Sequence, residues 1–81
     1  MEIKILGSGC SNCIRLEALV KEVAVEKDLE ATFQKVTDFR EIMSYGIMRT
    51  PGLVINGKVV SAGRIPSKQE IAGWLEAARG S

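Results

Sequence analysis

The chain has 81 residues, 46% of them apolar and 26% charged, which is room for a single domain over residues 1–81 and no second core. Eleven basic residues against ten acidic ones leave a net charge of +1, so there is no electrostatic case for nucleic acid or an anionic membrane as partner. The longest uncharged run, Ile5 to Ile14, is broken by Gly7, Ser8, Gly9, Ser11 and Asn12 and falls short of the about 20 apolar residues a membrane span needs.

Ile3 and Ile5 alternate with Glu2 and Lys4, which predicts a half-buried strand over residues 2–6. The chain enters that strand with no basic segment leading into an apolar stretch, so a secretory leader is not expected and a cytoplasmic location is. Gly7-Ser8-Gly9 breaks the strand. From about Cys10 the apolar residues Leu16, Leu19, Val20 and Val23 recur at helical spacing, predicting a helix to about Lys27 with Arg15, Glu17, Lys21, Glu22 and Glu26 outward.

Residues 30–36 form a second strand on the strength of Thr32, Phe33 and Val36. Asp38 and Glu41 have capping-box spacing, and Phe39, Ile42, Met43 and Gly46 suit a short helix closed by glycine. Thr50-Pro51-Gly52 reads as a turn. Leu53–Ile55 and Lys58–Ser61 flank Asn56-Gly57, a pair that favours a type I′ hairpin because both turn residues take positive φ. Gly63 and Pro66 end that hairpin. Ser67 and Glu70 then form a capping box for a last helix, to about Arg79, carrying Ile71, Trp74, Leu75 and Ala78 on its apolar face. The order β-α-β-α-β-β-α predicts an α/β domain with one four-stranded mixed sheet flanked by three helices.

Cys10 and Cys13 are the two cysteines, placed where the first strand hands over to the first helix. The i, i+3 spacing sets both side chains on one helix face, within bridging reach. A helix N-terminus carries unpaired N–H groups and partial positive charge, which favour a thiolate, the reactive form of cysteine. Cys10, nearest the helix start, is therefore the expected nucleophile, and Cys13, one turn in, the resolving thiol. The flanking Gly, Ser and Asn mark a surface turn and argue against cysteines used as small core hydrophobes. A static disulfide closing so short a loop would add little stability. Thiol–disulfide exchange and capture of a soft metal such as Cu(I) by two thiolates both remain open on spacing alone. The chain has no histidine, which removes Cys/His catalysis and mixed Cys/His zinc sites. No residue stands out as the acceptor for the Cys13 proton.

A strand, then Gly-Ser-Gly-Cys10-Ser11-Asn12-Cys13 opening a helix, then Thr50-Pro51 before a hairpin, then a final helix, resembles the thioredoxin superfamily. More closely, it is similar to the short, glutaredoxin-sized members known as small redox-active disulfide proteins. The resemblance implies a thioredoxin/glutaredoxin-like fold, and a protein-disulfide oxidoreductase that works through Cys10 and Cys13 without a cofactor or a bound metal. Gly9, Ser11 and Asn12 frame the pair. Pro51 is implied to be cis against the disulfide, with Thr50 offering backbone groups to a substrate strand. The implied partners are disulfide-containing proteins and, as electron donor, a dithiol or flavoprotein disulfide reductase, acting on a monomer.

The departures are equally specific. Between the cysteines stand Ser11 and Asn12, neither the Gly-Pro of thioredoxins nor the Pro-Tyr of glutaredoxins, so Asn12 replaces the usual proline, and Gly9 stands where a tryptophan often precedes the first cysteine. Ala62-Gly63-Arg64 only partly echoes the glutathione-holding stretch of glutaredoxins, which favours a protein dithiol as donor. The alternative function is a metallochaperone-type module, whose fold ends in a strand where this chain ends in a helix. Trp74 is expected in the core. Tyr45, Ile47 and Met48 are candidates for an apolar rim around the site, and Arg49 and Arg64 for flanking positive charge.

Overall fold

The computed structural model describes residues 1–79 and contains β1 (Glu2–Leu6), α1 (Ser11–Glu26), β2 (Thr32–Val36), α2 (Phe39–Ser44), β3 (Gly52–Ile55), β4 (Lys58–Ala62) and α3 (Lys68–Arg79). The strands form one sheet in the order β2-β1-β3-β4. β1 runs parallel to β2 and antiparallel to β3, and β3 is antiparallel to β4. Parallel pairing of β1 and β2 requires a crossover, and α1 is that crossover.

The pleat sorts the central strands into two faces. Ile3 and Ile5 of β1, with Leu53 and Ile55 of β3, meet Leu16, Val20 and Val23 of α1 and Ile71 and Leu75 of α3. Leu6 and Val54, of opposite parity, meet Val36, Ile42 and Ile47 on the other side, where α2 lies. β3 is thus apolar on both faces, as a central strand covered on both sides must be, whereas β1 is apolar on the α1 face and carries Glu2 and Lys4 beside Leu6 on the other. The weaker alternation of β2 follows from its edge position. Phe33 and Lys35 point to the α1 face, where Phe33 packs on the main cluster, while Val36 points to the α2 face. Each fully buried Leu or Ile contributes about 1.5–3 kcal/mol.

The helix ends are built by local chemistry. α1 closes with a Schellman arrangement: Leu29 N–H donates to Ala24 O at 2.9 Å and Asp28 N–H to Val25 O at 3.0 Å, with Asp28 in the left-handed region at φ 53°. At α3 the capping box is complete, Glu70 N–H donating to Ser67 Oγ and Ser67 N–H to Glu70 Oε1, both at 3.1 Å. At α2 it is half formed, since Asp38 accepts from Arg40 N–H at 2.9 Å and no return bond from the Asp38 N–H to Glu41 is made among the described residues.

Four details differ from the sequence expectation. β2 begins at Thr32 rather than residue 30, its N–H donating to Met1 O at 2.9 Å. Gly52 is not a turn residue but the first of β3, buried where a Cβ would lie 2.8 Å from Ile47 Cδ1. β4 runs on to Ala62 and carries a bulge, Leu53 facing Ser61 and Val54 facing Val59, so that Val60 has no opposite number. Trp74 is half-buried at the margin of the main cluster, beside Ile55, Lys58 and Val60, instead of within it. The hairpin turn itself forms as expected, with φ 51° at Asn56 and 82° at Gly57. No helix among the described residues is long and apolar enough to cross a membrane.

Candidate active site

β1 delivers the chain to one end of the sheet, and Gly7 N–H extends the ladder by donating to Val36 O at 2.9 Å. Gly9 then turns at φ 86°, a conformation L side chains rarely adopt, and aims Cys10 at the start of α1. Cys10 is the N-cap: its backbone is extended, and its sulfur accepts from Cys13 N–H at 3.2 Å. A sulfur there meets both a free helix N–H and the positive end of the helix dipole. Ser11 and Asn12 are the first two helical residues and are exposed, as is Cys10, whereas Cys13 is only 4% exposed. Cys10 and Cys13 form a disulfide with Cα atoms 5.0 Å apart.

Gly7 has a second duty that its place in the loop did not reveal. A Cβ built on it would overlap the Cys13 sulfur and lie 3.7 Å from Thr50 Cβ. The absence of a side chain at residue 7 is what lets the buried sulfur and the Thr50-Pro51 segment converge. The Thr50-Pro51 peptide is cis, with Thr50 exposed and Pro51 buried. Pro51 O accepts from Gly63 N–H at 2.9 Å, which ties this segment to the end of β4. The two signatures that lie far apart in sequence therefore meet at one end of the sheet.

A groove of about 300 Å³ opens beside them, lined by Ser8 and Thr50 together with Phe39, Met43, Met48 and Arg49. Phe39 is 72% exposed and Met48 92%, so the apolar side of α2 is turned outward along this groove and only Ile42 enters the core. Of the expected apolar rim, Met48 is present. Ile47 is buried, and Tyr45 packs on the α2-side cluster, where its hydroxyl accepts from Lys4 Nζ at 3.1 Å. Arg49 borders the groove, but Arg64 does not serve the site. Its guanidinium holds both carboxylate oxygens of Glu70, at 3.0 and 2.7 Å. That pairing, with the Ser67 N–H bond, draws the Glu70 carboxyl down to about 2.

Sequence reasoning missed a charged group that shares a pocket with Cys13. Glu17, one helical turn on, lines with Cys13 a small pocket of about 40 Å³ and pairs with Lys35 at 3.3 Å and Lys21 at 3.5 Å. Its i+4 spacing from Cys13 was readable, but the charges of α1 had all been assigned to solvent.

The family model described as thioredoxin domain matches residues 1–76. The thioredoxin of Methanothermobacter thermautotrophicus (strain Delta H) is 38% identical over 71 residues, covering 88% of this chain and 92% of that protein. The thioredoxin of Methanocaldococcus jannaschii is also 38% identical, over 78 residues, covering 91% of this chain and 90% of its own length. Both relatives are matched nearly end to end, and the mixed sheet with its closing helix is the architecture the resemblance implied. A metallochaperone-type module finds no support in either the comparisons or this topology. The chain belongs to the thioredoxin family and is a small thiol–disulfide oxidoreductase.

Proposed function

We propose that the protein exchanges disulfides with other proteins, Cys10 attacking and Cys13 resolving. The observation that carries this division of labour is the contrast between the sulfurs: Cys10 is exposed at the helix N-cap, while Cys13 is buried one turn on. In the reduced protein the Cys13 N–H and the helix dipole favour a thiolate at Cys10. That thiolate attacks a target disulfide, forming a mixed disulfide and releasing the first target thiol. The Cys13 sulfur then attacks Cys10, the Cys10–Cys13 bond forms and the second target sulfur leaves with its electron pair. Two electrons have passed from the dithiol to the target. A dithiol or flavoprotein disulfide reductase returns them in the cytoplasm, where thiols are kept reduced.

The substrate chain runs across the cis Thr50-Pro51 segment, using the exposed backbone of Thr50 in the manner of an added strand, with Gly9, Ser11 and Asn12 leaving the approach to Cys10 clear. Its apolar side chains lie in the groove of Phe39, Met43 and Met48, whose flexible thioethers accommodate varied shapes. The protein acts as a monomer. Cys10→Ser abolishes exchange, whereas Cys13→Ser accumulates a mixed disulfide with a protein substrate, read by mass spectrometry under non-reducing conditions. Trapping by Cys10→Ser instead would reverse the two roles.

A further inference from the structure

Among the described residues Arg49 is the one charged member of the groove it shares with Phe39, Met43 and Met48, and it directly precedes the cis Thr50-Pro51 peptide. Packing holds it there. A Cβ built on Gly63 would lie 3.0 Å from Arg49 Cβ and 3.4 Å from its Cδ, so the arginine stem lies across bare backbone at the end of β4. The same glycine donates its N–H to Pro51 O at 2.9 Å, which fixes the stem relative to the cis segment. Gly63 takes φ 78°, so a side chain at that position is disfavoured on conformational grounds as well. Arg49 is exposed, and its guanidinium makes no hydrogen bond or ion pair among the described residues. Two carboxylates that might have claimed it are engaged elsewhere: Asp38 accepts from Arg40 N–H, and Glu70 is held by Arg64 and by Ser67 N–H.

A guanidinium presents its donors as a planar fork that matches a carboxylate. A strand added at Thr50 advances about 3.3 Å per residue, which brings the side chains on either side of the attacked cysteine within reach of a long side chain on the neighbouring residue 49. Phe39 and Met48, at 72% and 92% exposure, are covered by an occupant that also carries apolar side chains, as a polypeptide does and a small carboxylate does not. We infer that Arg49 is a specificity-determining residue, selecting target proteins that carry an aspartate or glutamate beside the attacked cysteine and apolar side chains for the groove. The inference rests on the reading above, with Cys10 as nucleophile and the substrate strand at Thr50. Arg49 binds the target carboxylate as the strand docks and takes no part in the transfer of electrons or protons.

The test uses synthetic peptides of one apolar sequence whose cysteine is joined by a disulfide to an aromatic thiol that is coloured on release. Glu, Gln or Lys is placed before the cysteine in one series and after it in a second. Each rate with the reduced protein is divided by the rate of the same peptide with dithiothreitol, which removes the peptide's own reactivity. In at least one series the wild type favours the Glu peptide over the Gln peptide by about three- to fivefold, the upper range for one exposed charge pair, and the Lys peptide is slowest. The preference fades as salt rises. Arg49→Gln levels the Glu and Gln rates, Arg49→Lys keeps part of the preference, and Arg49→Glu reverses it in favour of Lys. Equal wild-type rates across both series, or a Glu preference that survives in Arg49→Gln, overturns the inference. So does a higher normalised rate for glutathione carrying the same aromatic thiol than for the Glu peptide, which would assign Arg49 to a small-molecule carboxylate. Failure of the underlying cysteine assignment shows differently: Cys10→Ser would still release the coloured thiol.

Discussion

At the scale of single residues, the site is governed by what is missing from residue 7. The Cys13 sulfur, the turn of Thr50 and the end of β1 come together because no Cβ stands between them. Gly7→Ala should therefore destabilise the oxidised protein by about 1–3 kcal/mol, the usual cost of overpacking. Urea denaturation of the oxidised form checks this, and stability within error of wild type would mean that the Cys13 side chain can yield. The cysteine pair and its position at a helix start were legible in the sequence, because spacing and the turn before α1 suffice for them. The role of Gly7 was not, since close approach depends on a sulfur that arrives from the following helix. Glu17 was hidden for a related reason: nothing in α1 alone says that Lys35, on a strand yet to come, will draw a charged residue inward.

At the scale of elements, local rules served well wherever a segment's own residues complete its chemistry. The capping box at Ser67 and Glu70 and the Asn56-Gly57 turn are such cases. Ser67→Ala should cost roughly 1 kcal/mol, as loss of an N-cap does, measurable by thermal unfolding. Glu70 adds a pH signature. Its carboxyl titrates at about 2 in the folded protein against 4.5 ordinarily, so its stabilising contribution is full above 4.5 and is lost as pH falls toward 2. The stability gap between wild type and Glu70→Gln should be constant at neutral pH and close across that acid window. A gap that persists to the acid end would show that the Arg64 pairing does not hold in solution. The sequence misled where the partner of an element lay elsewhere. The apolar residues of α2 suit a core-facing helix, yet Phe39 and Met43 face the groove, because Leu6, Val36, Ile47 and Val54 already surround Ile42.

At the scale of the whole molecule, two kinds of contact join α1 to the rest, and they differ in weight. Leu16, Val20 and Val23 are buried against the sheet and α3, while Lys68 bridges Glu22 and Glu26 and Lys27 meets Glu76 across the surface. Exposed pairs of this kind contribute at most about 1 kcal/mol and weaken with salt. Leu16→Ala should cost about 2–5 kcal/mol. Lys68→Ala should cost less than about 1 kcal/mol, and less again in high salt. Comparable losses from the two in denaturant titrations would mean that α3 is held by charge more than by packing. The order of elements was readable in advance from the run of strand, helix and turn signals, whereas the second apolar cluster, around Leu6 and Val54, was not, because its members come from four separate segments.

The chain's single tryptophan sits at the hairpin end of the molecule, among Ile55, Lys58 and Val60, while Cys10 follows the opposite end of β1. The indole is thus remote from sulfur chemistry and close to the last turns of α3. Its fluorescence becomes a reporter of folding that is blind to the oxidation state, whereas thiol alkylation reads oxidation and is indifferent to the indole. One sample in a graded redox buffer can then yield two separate curves. Their offset would measure how strongly the bond between the cysteines is coupled to the integrity of the far side of the protein.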